Sequence, residues 1–286
     1  MLEAATPMRL PHAGTTSTPH DPQVEWVSVI VPCFNGAAFI ARTIESVLSQ
    51  THSQFELIVV DDCSTDDSAA IVNDYWQRDP RVSLLSMPRN AGAPAAPRNA
   101  GVRAARASWV AFLDADDIWH PRKLEMQMQA LREHGGTMCS TRMTDFRDER
   151  EIRFANLTAP PISRVDFGMQ LRKYRTPTSS ILIRRELMLT LPFNEDLSLK
   201  AREDTDAFIR VHEYMPYSLK IEQPLVFYRL QATQISGNKL KMVKRHLLML
   251  RRYRRRSGLG LGWKAYYYTA THFLASIYLR LIRGTL

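Results

Sequence analysis

Between residues 27 and 134 short apolar runs alternate with helical patterns, and nothing else in the chain restricts its possible folds as much. VSVIVP (27 to 32, with Ser28 the one polar break) is a β-branched run stopped by Pro32, as expected of a strand buried on both faces. Residues 37 to 49 then place Phe39, Ile40, Ile44, Val47 and Leu48 at helical spacing. FELIVVDD (55 to 62) is the next strand, and Asp66-Asp67-Ser68 opens a second helix to about Gln77, its acids suited to the N-terminal dipole. VSLLSM (82 to 87) is a third strand, residues 94 to 106 a third helix, and WVAFLDADD (109 to 117) a fourth strand running into acids. Pro121 suits the first turn of a helix reaching about Glu133. Strands alternating with helices predict an α/β fold, a doubly wound, mostly parallel Rossmann-like sheet with right-handed crossovers. Farther on, TMCSTRMTDF (137 to 146), SSILIRREL (179 to 187) and PLVFYRL (224 to 230) read as strands and EDTDAFIRVHEY (203 to 214) as a helix, together the other half of the same sheet.

With 286 residues, 45% of them hydrophobic and 23% charged, the chain can bury such a core, which excludes disorder as its main state. Its three cysteines, Cys33, Cys63 and Cys139, have no metal-site spacing and suggest no disulfide framework, so a reducing compartment fits. The net charge of +9 is a C-terminal property: residues 239 to 286 hold 12 Lys/Arg and no acid, leaving 26 basic against 29 acidic side chains, net −3, before them. A body that clamped nucleic acid would carry its own positive charge, so nucleic acid is not the expected partner and an anionic membrane surface is. Residues 1 to 24 lack an apolar signal region and are expected to be a disordered arm.

In open parallel sheets ligands bind beyond the carboxyl ends of the strands. Here those ends read Pro32-Cys33-Phe34-Asn35, Asp61-Asp62-Cys63-Ser64, Pro88-Arg89-Asn90 and Asp114-Ala115-Asp116-Asp117. A single loop Asp is usually a turn former or helix cap, but several strand ends converging on one rim point to a site. Asp114 and Asp116, spaced i, i+2, can jointly approach one hard cation; Mg2+ or Mn2+, which take carboxylates together with phosphate oxygens, would make a metal-diphosphate clamp. An apolar strand ending in acid also resembles a Walker B segment, but the chain has no G-x-x-x-x-G-K-[ST], so a P-loop NTPase is excluded. The phosphatase pattern of a strand followed by DxD fails because Ile118 stands where Thr or Val is needed. No G-x-G-x-x-G follows the first strand, and neither G-x-S-x-G nor H-E-x-x-H occurs.

Five blocks carry a resemblance: VSVIVPCFNG (27 to 36), LIVVDDCSTDDS (57 to 68), NAGAPAAPRNAG (90 to 101), FLDADDIWHPRKL (112 to 124) and REDTDAFIR (202 to 210). In their order and spacing the chain resembles a family 2 glycosyltransferase of the GT-A fold, of the bacterial polysaccharide-biosynthesis type. The resemblance implies a nucleotide-sugar-binding half (25 to 134), an acceptor half (135 to 238) and a donor that is most often a UDP-sugar. It implies that Pro32, Phe34 and Asn35 form the base-contacting loop, where Phe34 replaces the more usual Tyr and keeps stacking while losing a hydroxyl. Asp62 matches the carboxylate that accepts from the uracil N–H, and Asp61 beside it is structural or ribose-directed. Arg98 matches a basic residue near the base and phosphates, preceded here by Pro97 in place of a commoner small residue. Asp116 corresponds to the metal ligand, Asp114 would reach the ribose or support the metal through water, and Ala115 between them is implied to lie in the nucleotide-sugar site. Asp117, Trp119 and Pro121 are implied to be structural. Asp204, in the Glu203-Asp204 pair, is the implied base for inverting transfer to a saccharide acceptor. A catalytically silent sugar-nucleotide-binding protein of the same fold is the alternative.

The tail KLKMVKRHLLMLRRYRRR (239 to 256) sets Leu240, Val243, Leu247 and Leu250 along one helical face, with cations largely elsewhere. After GLGLG (258 to 262), WKAYYYTATHFLASIYLRLI adds interfacial aromatic and aliphatic surface, but its longest stretch free of Lys, Arg, Asp and Glu, 265 to 279, falls short of the roughly 20 residues a spanning helix needs. The expectation is a peripheral enzyme at the inner, cytoplasmic face of the plasma membrane, acting on a lipid-linked acceptor. A helical pair packed on the body with a solvated basic face is the alternative.

Overall fold

The structure, a computed structural model, describes residues 26–154, 160–173, 176–231 and 239–283; the expected disordered arm lies outside them. From the N-terminal side run β1 (Val27–Cys33), α1 (Ile40–Leu48), β2 (Phe55–Asp61), α2 (Ser68–Arg78), β3 (Val82–Ser86), α3 (Ala95–Ala104) and β4 (Trp109–Phe112). The four strands pair in parallel in the order β3-β2-β1-β4, as the alternation predicts. Successive side chains of a strand point to opposite faces, so Val27, Val29 and Val31 enter one core with Ile44 and Val47 of α1, while Ile30 enters the other with Val102 of α3. Both faces are covered, which is why β2 and β4 are buried along their whole length. A Cβ on Gly101 would collide with Ile30 and come within 3.2 Å of Val60, so glycine is what lets α3 lie this close to β1 and β2.

Past β4 come β5 (Ile118–Trp119), α4 (Lys123–His134), β6 (Met138–Phe146), β7 (Ile162–Val165), α5 (Phe167–Arg172), β8 (Leu182–Arg184), α6 (Arg185–Thr190), α7 (Glu203–Tyr214) and β9 (Ser218–Arg229). They extend the sheet as β4-β8-β6-β9-β5, with β7 also on β9. The extension is mixed: β8 is antiparallel to β4 and β6, whereas β6 and β9 are parallel with a register irregularity between Thr141 and Met143.

Several sequence expectations shift here. The fourth strand ends at Phe112, because Asp117 N donates to Asp114 O at 3.1 Å and folds the acids into a turn before β5. Residues 179 to 187 are not one strand: Thr178–Ser180 form a 3₁₀ turn after Pro177, three residues pair as β8, and the chain continues as α6. The last strand begins at Ser218, six residues earlier than its apolar run, because pairing with β6 and β7 holds the polar segment too. The short β7 and α5 leave no periodic signal in the sequence.

In the tail, α8 (Lys239–Arg252) and α9 (Lys264–Arg283) lie against the body. Met249, Leu250, Tyr253, Leu261 and Ala265 share a core with Leu171, Leu199 and Ile209. The expected stripe holds at Leu250, which is fully buried, and at Leu247, which packs on the same core, but the face is rotated toward Met242, His246, Met249 and Tyr253, buried at i, i+4, i+7 and i+11, while Leu240 is exposed. The His246 ring is buried and stacks on His272 of α9 at 4.3 Å, which turns that face inward. Arg252–Asp196 and Arg255–Glu213 ion pairs, and Tyr253 Oη donating to Glu213 at 2.6 Å, join tail to body. No helix among the described residues is long and apolar enough to cross a membrane.

Candidate functional site

The carboxyl ends of β1, β2 and β4 carry the expected residues on one rim, since these strands are parallel neighbours. Pro32, one residue before the end of β1, pairs in register with Val60, and Phe34, just past the strand, is 53% exposed and can offer its ring face. Asn35 adopts a left-handed φ of 51°, a conformation Asn tolerates. Its Oδ1 accepts from Thr65 N at 2.8 Å and its N donates to Ser64 Oγ at 3.0 Å, so Asn35 builds the loop by tying it to the end of β2.

At the end of β2 the two acids divide their work. Asp61 accepts from Ser64 N at 3.3 Å through both oxygens. Asp62 Oδ1 accepts from Ala91 N at 2.8 Å; burial and then the charge of Asp61 raise its pKa, against the Ala91 and Gly92 amides. Cys63 follows with φ 60°, unusual for a side chain without a local hydrogen-bonding group.

Arg98, on α3, is the hub. Its Nη2 meets Asp114 Oδ1 at 2.6 Å and its Nη1 meets Glu203 Oε1 at 3.4 Å, although only 4% of the residue is exposed. Burial alone would depress its pKa, but Asp114, Glu203 and Asp204 together raise it. Pro97 sits in the first turn of α3, where no amide donor is needed, so this departure leaves the helix intact. Arg98 Nε and Glu203 Oε2 are buried without a hydrogen-bond partner among the described residues.

The acidic turn is pinned from below: Thr43 Oγ1 donates to the carbonyls of Ala115 and Asp117 at 2.8 and 2.9 Å. Asp117 is wholly buried, accepting from Ser179 Oγ at 2.6 Å and Arg229 N at 3.1 Å, and Trp119 Nε1 donates to Ser179 O at 2.8 Å. Both are buried and bonded to the protein's own groups. Asp114 and Asp116 are half-buried on the same turn. Burial and then Asp114 push the pKa of Asp116 up to about 6, while Gln231 Nε2 donates to its Oδ2 at 2.5 Å. Two carboxylates side by side on one turn suit a cation, whose charge would offset theirs. No cluster of three or more His, Cys, Asp or Glu able to hold a metal occurs among the described residues. Asp114 and Asp116 therefore fit Mg2+ or Mn2+ only in the form that takes its remaining ligands from phosphate and water.

Asp204 stands in the first turn of α7, half-buried, directly after Ala201 (φ 64°) and Arg202-Glu203. Its Oδ2 accepts from Thr178 Oγ1 at 3.1 Å and its Oδ1 from Thr205 N at 2.6 Å. Glu203 is instead turned to Arg98, and burial, followed by the charge of Asp204, raises its pKa. The Arg98 bridge thus brings Asp114 and the start of α7 together. Asn35, Cys63 and Ala201, the three non-glycine residues with positive φ among the described residues, each adjoin one of the site segments. Gln231, Thr178 and Ser179 bond to Asp116, Asp204 and Asp117 but were not singled out from the sequence; no motif marks them, and only folding delivers them.

The family model described as Glycosyl transferase family 2 matches residues 28–191. Over 239 residues the chain is 29% identical to TuaG of Bacillus subtilis, a glycosyltransferase named for teichuronic acid biosynthesis, covering 83% of this chain and 92% of that one. It is 25% identical, over 80% of this chain and 86% of that one, to WfaP of Escherichia coli, named as a UDP-Glc:alpha-D-GlcNAc-diphosphoundecaprenol beta-1,3-glucosyltransferase. In fold it is similar to TarS of S. aureus in a structure with UDP-GlcNAc, with a TM-score of 0.64 at 20% identity over 78% of this chain; that match spans 65% of the TarS fragment, under two thirds of its length.

Proposed function

The chain belongs to glycosyl transferase family 2, and from that premise we propose that it moves a sugar, with inversion, from a UDP-sugar to a lipid-linked saccharide in bacterial surface-polysaccharide synthesis. The observation that carries this reading is the Arg98 bridge from Asp114, at the end of β4, to Glu203, beside Asp204. It couples a candidate diphosphate end of the cleft to a candidate acceptor end. The names of the TuaG and WfaP relatives support the choice of acceptor and donor classes.

In this reading the exposed ring of Phe34 stacks on the base and the Asp62 carboxylate accepts from its ring N–H. A divalent cation held by Asp116 and Asp114 would offset the charge that grows on the departing diphosphate. Asp204 takes the proton of the acceptor hydroxyl as that oxygen bonds to the anomeric carbon from the face opposite the phosphate. The bond from anomeric carbon to phosphate oxygen breaks with its electron pair on the diphosphate, so one displacement inverts the configuration. Thr178 Oγ1 and Thr205 N hold the Asp204 carboxylate without burying it. The unmet hydrogen-bonding capacity of Arg98 Nε and Glu203 Oε2 is the kind a polar ligand satisfies.

The test is Asp204→Asn assayed with a UDP-sugar donor and a lipid-linked acceptor, with donor affinity followed by calorimetry. Turnover should fall roughly 10²- to 10⁴-fold while donor affinity holds. Equal turnover would remove Asp204 as the base, and a wild type that binds the donor without turning it over would put the catalytically silent reading in place of this one.

A further inference from the structure

Among the described side chains of α9, one face is covered and the other is exposed. Ala265, Thr269 and His272 are buried at i, i+4 and i+7 against α8 and the body. On the other side Trp263, Tyr266, Tyr267 and Leu274, spaced i, i+3, i+4 and i+11, are 49% to 72% exposed, and Ala270 at i+7 is exposed between them. Trp263 belongs to the stripe because the helical turn begins just before α9, with Tyr266 N donating to Trp263 O at 3.1 Å. The turn that precedes it, closed by an Arg254–Gly260 bridge, carries Leu259 exposed beside Arg254, Arg255 and Arg256.

A soluble helix normally leaves its outer face polar. This one is aromatic, within a segment, 239 to 286, that has 12 Lys/Arg and no acid. Some of those cations are spent on the body, Arg252 on Asp196 and Arg255 on Glu213. Arg251 and Lys264 are exposed and have no carboxylate partner among the described residues. Trp and Tyr are the side chains that settle at a lipid headgroup boundary, and exposed cations without protein counterions match anionic headgroups. We infer that the Trp263–Tyr266–Tyr267–Leu274 face, with Arg251 and Lys264, docks on an anionic phospholipid surface, lying on it without crossing it. The docked face belongs to the helix whose Phe273 ring lies 5.9 Å from the Arg202 guanidinium, at the N-terminus of the helix that carries Asp204. Docking would therefore hold the acceptor side of the cleft at the lipid surface. The binding itself does not depend on the transfer reaction.

The full chain is floated with vesicles of phosphatidylglycerol and phosphatidylcholine, and with phosphatidylcholine alone. Three proteins are compared: the wild type, the triple variant Trp263→Ser, Tyr266→Ser, Tyr267→Ser, and the pair Arg251→Glu, Lys264→Glu. The wild type should bind the anionic vesicles and be released by salt or by removal of the anionic lipid. The triple variant should lose at least about tenfold in partition with an unchanged melting temperature, and the charge pair at least about fivefold for each cation. Wild type that stays unbound overturns the inference, as does a triple variant that binds equally well. So does a dimer that forms in place of vesicle binding and is broken by the triple substitution, because a second copy would then cover the face.

Discussion

Arg98 shows how one side chain can join two ends of a site. It is buried, it meets Asp114 at 2.6 Å and Glu203 at 3.4 Å, and among the described residues no other cation pairs with Glu203. Removing one partner of a buried pair leaves the other charge uncompensated, which costs about 3–5 kcal/mol. Arg98→Met should therefore lower the unfolding free energy by about that much, read as a lower urea midpoint; a midpoint near wild type would mean that Glu203 is held neutral. Asp116→Asn removes one of the two carboxylates of the candidate cation site. Activity should then lose its response to added Mn2+, as read in a titration from a metal-free preparation, whereas Asp117→Asn should act first on stability because its carboxylate faces Ser179 and Arg229 N. Of these residues, Asp62, Arg98, Asp114, Asp116 and Asp204 were legible by motif. Asn35 was legible as a loop residue but not as the latch to Thr65, since a hydrogen bond across 30 positions leaves no local pattern.

Among elements, α3 and the α8–α9 pair are the most sensitive. α3 rests on Ile30 and Val60 through Gly101, and a Cβ there has no room without moving a branched side chain. Gly101→Ala should cost about 1–3 kcal/mol, read as a lower melting temperature, in spite of alanine's better helix propensity. The tail pair is closed over His246 and His272, and α7 carries the buried His212. Burial lowers the pKa of His212 and of His272 to about 4 from an ordinary 6.5, and that of His246 also falls. Around His272 the charges of Arg202 and Lys173 depress it further and Asp204 opposes them; around His212 a bond to Phe208 O and the charge of Asp166 oppose burial. Below pH 6.5 the unfolded chain binds protons that the folded one does not, so stability is complete above that pH and falls as pH drops toward 4. Each of His212 and His272 accounts for about 2 kcal/mol of loss by pH 5. Urea unfolding at pH 7.5 and pH 5 measures it, and equal midpoints would contradict the buried neutral rings.

For the molecule as a whole, the tail is both surface and core. Its inner side covers Leu171, Leu199 and Ile209, so removing residues 239 to 286 uncovers apolar surface from the body. The truncated chain should lose at least about 3 kcal/mol, with a lower melting temperature and a tendency to aggregate. A truncation that melted like the intact chain would mean that the α8–α9 contacts contribute little. Substitutions on the outer face of α9 are therefore the cleaner probe of membrane docking, since they leave the inner contacts alone.

By itself the sequence determined the parallel half of the sheet and the residues on its rim. Strand alternation and helical periodicity are local, and in such a sheet the carboxyl ends must share one edge, so the Asp62, Asp114 and Asp116 positions followed from spacing. Only the tertiary structure decided which side chains touch across the cleft, that the later strands join as a mixed sheet, and which stripe of α8 faces inward. Those outcomes depend on contacts between residues far apart in the chain: Arg98 finds Glu203, Gln231 finds Asp116 and His246 finds His272 once packing and desolvation choose among faces that the local pattern leaves equivalent.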